Sequence, residues 1–139
     1  MQRLSREVAR YILPMDQSPD LNEDRRAPSA GWDGVRDVPP VVLASRRAGG
    51  DPLLLIDVRE PWEWEMVRLD GAVHVPLATF AQAAATLDRS AEIVLYCHHG
   101  MRSLAAGNYL SQLGFRRLWN LSGGIERYAL EVDPALPRY

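Results

Sequence analysis

The sequence contains no lysine; all sixteen of its basic residues are arginine. A side-chain amine that could form a Schiff base or serve as a neutral general base is therefore missing, and chemistry of that kind is excluded. There is a single cysteine, so no disulfide can close within the chain, and a disulfide-stapled secreted domain is ruled out. No apolar run approaches the ~18 residues needed to span a bilayer. The opening MQRLSREVARYILPM has no uninterrupted apolar segment of signal-peptide type. A net charge of −2 offers no basic field for nucleic acid or an anionic membrane surface. A soluble protein of a reducing, cytoplasmic compartment is expected.

What is present is 139 residues, 47% of them hydrophobic, enough for one compact domain with a real core and a short extension. Residues 1–34 differ from the rest. REVARYIL suits a short amphipathic helix with Val8, Tyr11 and Ile12 on one face, and a Pro-, Asp- and Ser-rich linker follows. From Val35 to Tyr139 the pattern is regular. VRDV reads as a short edge strand, and PPVVLASRRAGG as a helix with prolines in its first turn. PLLLIDV and AEIVLYC are continuous apolar runs of strand length, as expected of strands buried on both faces.

Between those runs, PWEWEMVRL reads as a helix, GAVHVPL as a short strand, and TFAQAAATL as a helix capped by Thr79. RSLAAGNYLSQLG carries the clearest helical stripe, Ala105, Ala106, Tyr109, Leu110 and Leu113, with Gly114 as a left-handed stop. RRLWNL is a further strand and GGIERYALEV a last helix. Strands alternating with helices predict an α/β domain around a mostly parallel sheet.

The lone cysteine stands at a telling position: strand EIVLYC, loop HHGMR, then a helix from about Ser103. In parallel sheets, functional groups gather beyond the carboxyl ends of strands. The first N–H groups of a helix lack intrahelical partners and lie at the positive end of its dipole. A sulfur held there is favoured as thiolate, and Arg102 together with a protonated His98 or His99 would favour it further. Gly100 permits the tight curl. A buried filler cysteine would need none of this. Cys-His-His also suggests metal, but adjacent residues in a tight loop do not aim three side chains at one tetrahedral centre, for which spacings of about two to four residues are usual.

These residues make the sequence resemble rhodanese-domain proteins over roughly residues 36 to 139. LLLIDVREPWEWE, LDGAVHVPL, IVLYCHHGMRS and YLSQLGFRRLWNLSGGIERY come in the family's order. The closing DPALPRY is similar to the end of rhodanese domains appended to adenylyltransferases that activate sulfur-carrier proteins. The resemblance implies a central parallel sheet flanked by helices on both faces, and a sulfurtransferase that needs no metal or nucleotide. It implies that Cys97 accepts sulfane sulfur from a thiosulfate-like donor and passes it to a thiophilic acceptor: cyanide, a thiol or a protein.

Carried over by position, Cys97 is the nucleophile and persulfide carrier. His98, His99, Gly100, Met101 and Arg102 form the substrate-binding loop, and Ser103 opens the helix behind it. Arg102 suits an anionic donor. Cysteine-dependent phosphatases, including those with a rhodanese-like fold, use Cys-x5-Arg; here four residues separate Cys97 from Arg102, a smaller ring suited to sulfur. Asp57 and Arg59 of DVRE stand ready either to line the pocket or to form an internal ion pair, with Arg59 counted among the substrate-binding candidates. Trp62, Trp64 and Trp119 read chiefly as packing, His74 as structural, and LSGG as a tight turn. Two other readings stay open: a protein-to-protein sulfur relay, and a binding module without activity whose residues 1–34 contact a partner.

Overall fold

The structure, a computed structural model, describes residues 31–139. The expected N-terminal helix and most of its linker lie outside the described residues.

Short apolar segments pair wherever both of their faces can be covered. Val35–Val38 (β1), Leu54–Asp57 (β2), Val73–His74 (β3), Ile93–Tyr96 (β4) and Leu118–Leu121 (β5) form a five-stranded sheet. Its order is β1-β5-β4-β2-β3, and every pairing is parallel. Between the strands run helices Pro40–Ala48 (α1), Pro61–Met66 (α2), Phe80–Ala84 (α3), Met101–Gln112 (α4) and Gly124–Glu131 (α5). Among the described residues no helix is long and apolar enough to cross a membrane.

The two-residue period of a strand distributes β4 between two cores. Ile93 and Leu95 join Phe80, Ala106, Leu110 and Phe115 under α3 and α4. Val94 and Tyr96 join Leu43, Leu121, Ile125 and Tyr128 under α1 and α5. The helices therefore lie on both faces, and β2 and β4 are buried along their whole length. Leu110 has no exposed surface; truncating such a leucine to alanine costs about 2–5 kcal/mol.

Local chemistry sets the helix boundaries. Pro40 opens α1 at the position where its missing N–H costs nothing. At the end of α4, Gly114 takes φ 96 and lets the Phe115 amide return to the Leu110 carbonyl at 3.1 Å.

Two expectations need correction. Thr79 makes no side-chain cap; it closes a 3-10 turn, Leu77–Thr79, that leads into α3. The buried face of α4 is Ser103, Ala106, Gly107 and Leu110, while Ala105 and Tyr109 are exposed. The helix is rotated because Gly107 presses on β1, where a β-carbon would come within 2.8 Å of Val35. Trp62 is 58% exposed and packs edge-to-face on the Tyr139 ring, with centroids 5.7 Å apart. Trp32, on the extension side of the expected boundary, is already tied to β5: its amide donates to the Arg116 carbonyl and its indole N–H to that of Leu118.

Candidate active site

The chain from β4 enters a loop, His98–Gly100, that curls back under its own strand end. Gly100 makes this possible by adopting φ 108, a conformation closed to most side chains, and α4 starts at the next residue. The Cys97 sulfur then sits in front of the first turn of α4. It accepts the Gly100 amide at 3.1 Å and the Ser103 amide at 3.4 Å, with the Ser103 hydroxyl oxygen 3.3 Å away. Such donors stabilise negative charge on sulfur. Cys97 is 1% exposed.

Asn120, buried on β5, organises this cradle. Its amide nitrogen donates to the Gly100 carbonyl at 3.0 Å, which turns its amide oxygen toward the Ser103 hydroxyl at 2.6 Å. A hydroxyl has one proton. With that proton on Asn120, the Ser103 oxygen faces the sulfur as an acceptor, fit to receive a thiol S–H. The same rotor can instead turn its proton onto the sulfur.

The rear of the loop is held by α5. The amides of Ile125 and Glu126 donate to the carbonyls of Cys97 (2.9 Å) and His98 (3.2 Å). Gly123 and Gly124, both with positive φ, bring the two backbones together; a β-carbon on Gly124 would fall 2.2 Å from the His98 carbonyl oxygen. The expected tight turn at LSGG is therefore also the back wall of the site.

Beside the sulfur runs a chain of alternating charges and hydroxyl. Arg102 donates through both terminal nitrogens to Glu63, at 2.6 and 2.9 Å. Glu63 also accepts the Tyr139 hydroxyl at 2.5 Å and the Glu60 amide at 3.1 Å. Tyr139 in turn accepts from Arg59 at 2.7 Å, and Arg59 is locked onto Asp57. Burial alone would raise the Glu63 carboxyl, but hydrogen bonds from Arg102 and Tyr139 hold it at about 2. Burial and the Glu63 carboxylate push the Tyr139 phenol up to about 12. Both groups keep one protonation state near neutrality.

Arg59 therefore falls on one side of the choice the sequence left open. Its side chain and that of Asp57 have no exposed surface, and the internal ion pair forms. This corrects its place among the substrate-binding candidates: the guanidinium reaches the site only through Tyr139. Gly100, Arg102 and Ser103 are gathered around or beside Cys97. Met101, 77% exposed, forms an apolar rim. His98 stacks on the Tyr139 ring, with centroids 4.0 Å apart and 11° between planes, and its Nε2 lies 3.7 Å from Glu126. Burial lowers the His98 imidazole below its usual range, the neighbouring His99 adds to this, and Glu126 opposes it. His99 faces solvent, tilted on His98. His74 is structural as read, its Nε2 2.7 Å from the Arg59 carbonyl and its ring stacked on Trp64.

Glu63, Asn120 and Tyr139 do not stand out in the sequence as site residues, and Gly124 does so only as part of a turn; Glu63 leaves a signal as the residue three past Glu60 at the start of an expected helix.

A parallel sheet with a lone cysteine cradled at the start of a helix defines the class, and comparison with known proteins agrees. Residues 40–131 match the Rhodanese-like domain family, and the chain belongs to that family. It is 31% identical to the "Putative sulfurtransferase YtwF" of Bacillus subtilis (strain 168), over 72% of this chain and 96% of that protein. It is 38% identical to the "Probable adenylyltransferase/sulfurtransferase MoeZ" of Mycobacterium tuberculosis, over 65% of this chain but only 24% of that protein. The chain thus spans about a quarter of that longer relative. Among solved structures, a rhodanese-related protein from Thermoplasma volcanium superposes with a TM-score of 0.62 at 28% identity, over 70% of this chain and 93% of that one.

Proposed function

We propose that this chain is a sulfurtransferase that carries sulfane sulfur on Cys97 as a persulfide. The observation that carries the reading is the sulfur's position against the amides of Gly100 and Ser103 at the start of α4. In the first half-reaction the Cys97 thiolate attacks the outer sulfur of a donor such as thiosulfate. The donor's S–S bond breaks, sulfite leaves with its electron pair, and Cys97–S–S⁻ remains. In the second, a thiophilic acceptor attacks the terminal sulfur and the Cys97 thiolate is restored; cyanide leaves as thiocyanate, and a thiol or a protein acceptor as its persulfide. No external oxidant or reductant is required. Two half-reactions through one covalent carrier give ping-pong kinetics.

In this reading the cradle amides hold the negative charge of the persulfide, as they would an oxyanion. Met101, His98 and His99 form the rim that meets donor and acceptor, and Ser103 handles the proton of the resting thiol. The names of the relatives support the class of reaction, and the small ring from Cys97 to Arg102 supports sulfur as the atom moved.

The test is intact-mass spectrometry after exposure to a sulfane donor. A gain of one sulfur that cyanide removes and that Cys97→Ser abolishes supports the proposal. Undiminished thiosulfate:cyanide activity in Cys97→Ser would sink it.

A further inference from the structure

Among the described residues, Arg102 is the cation carried by the cysteine loop itself, in the first turn of α4. Its charge is already matched. Both terminal nitrogens engage Glu63, which is 3% exposed against 36% for Arg102. Glu63 is also fixed by Tyr139 and the Glu60 amide, so the pair cannot open without stranding a buried carboxylate. Around the rest of the mouth, Glu126 is paired with Arg138, and burial disfavours the imidazolium of His98. Among the described residues around the mouth, Arg102 and Arg138 both have a carboxylate partner.

That balance bears differently on different donors. Thiosulfate carries two negative charges and, on approaching a thiolate, needs a cation that is free to meet it. A hydropersulfide, R–S–SH, brings at most one charge to the reacting end. We propose that Glu63, acting through Arg102, sets the donor class: it disfavours thiosulfate and selects hydropersulfides. The proposal rests on the sulfur-transfer reading above. The Cys97 thiolate attacks the terminal sulfur of R–S–SH. The inner sulfur leaves as R–S⁻ with the S–S electron pair, and the proton stays on the transferred sulfur, giving Cys97–S–SH. Glu63 is thus a positioning residue that acts on charge and touches no substrate.

The experiment compares kcat/KM for thiosulfate and for 2-hydroxyethyl hydropersulfide, which has no ionisable group besides its persulfide. It uses the wild-type chain, Glu63→Gln and Arg102→Gln, each at low and high salt. Glu63→Gln is expected to raise the thiosulfate-to-hydropersulfide ratio about tenfold, by freeing the guanidinium's charge. Its thiosulfate rate should also fall with added salt, where the wild-type rate is nearly flat. Arg102→Gln, leaving the carboxylate uncompensated, should lower the ratio. A purely structural role would move both donors together. Should Glu63→Gln fail to fold, the Arg102→Gln ratio and the wild-type salt response decide. Unchanged ratios, with Cys97 still taking sulfur from both donors, overturn the donor assignment alone. Failure of Cys97 to take sulfur from either donor overturns sulfur transfer and the assignment with it.

Discussion

The amide of Ile125 donates to the carbonyl of Cys97 at 2.9 Å, so the helix that follows β5 holds the rear of a loop that follows β4. The loop's shape is thereby set from two sides, by its own helix in front of the sulfur and by a second helix behind it.

Gly124 is where that arrangement is most exposed to mutation. Gly124→Ala adds a carbon 2.2 Å from the His98 carbonyl oxygen at a φ of 65. The expected loss is about 3 kcal/mol or more, a left-handed penalty plus displaced backbone, with sulfur uptake falling alongside. Gly34 has φ 75 and nothing near its would-be β-carbon, so Gly34→Ala should cost only about 1–2 kcal/mol. Urea melts of the two variants test the difference, and equal midpoints would refute it.

Asn120→Asp keeps the volume and replaces one donor by an acceptor. The carboxylate would face the Gly100 carbonyl, lose that hydrogen bond, and hold the Ser103 proton more firmly away from the sulfur. A stability loss of about 1–3 kcal/mol is expected. The transfer rate should fall by about tenfold or more, since the thiolate loses a donor and gains a nearby negative charge. A variant that is destabilised but transfers sulfur at the wild-type rate would separate Asn120 from the chemistry.

Tyr139→Phe removes one hydroxyl from between two buried charges. Glu63 loses a donor and Arg59 an acceptor, while the ring still stacks on His98. The expected cost is about 1–3 kcal/mol. Tyr139→Ala also removes the ring beneath His98 and should cost more. If denaturant midpoints of the two variants coincide, the stacking contributes nothing.

Acid weakens the Glu63 contacts in a defined window. The folded carboxyl is held at about 2 against an ordinary 4.5, so the folded state binds this proton less readily than the unfolded chain. The stabilisation is complete above the ordinary value and is lost as the pH falls from there toward 2. Allowing for solvent screening at the half-open Arg102, it amounts to about 1–3 kcal/mol. The stability gap between wild type and Glu63→Gln should therefore narrow from pH 5 downward. A gap constant with pH would show that the charge of Glu63 adds nothing.

How much of this could be read from the sequence follows the separation of the parts. Cys97, Gly100 and Ser103 lie within two turns of chain, so the pattern of strand, loop and helix announces the cradle by itself. The two strands with unbroken apolar runs, LLLID and EIVLY, declare burial on both faces and hence a parallel sheet. Arg59 could not be resolved because its long side chain reaches either inward to Asp57 or outward to the loop, and only packing chooses. The stripe on α4 is only half legible because polar Ser103 and side-chain-free Gly107 share its inner face with Ala106 and Leu110, and apolar periodicity carries no signal at the first two. Glu63, Asn120 and Tyr139 come together only through the fold, and no spacing rule links them.

The strand order has a consequence for how the protein comes into being. Val35, near the start of the described chain, pairs with Leu118, and the hydroxyl beside the loop comes from Tyr139. Topologies rich in contacts so distant in sequence fold slowly. During synthesis, the cysteine leaves the ribosome well before β5, α5 and Tyr139, the elements that brace its loop. Until those segments arrive, the loop lacks the Ile125 amide behind the Cys97 carbonyl and the Asn120 side chain that ties Gly100 to Ser103.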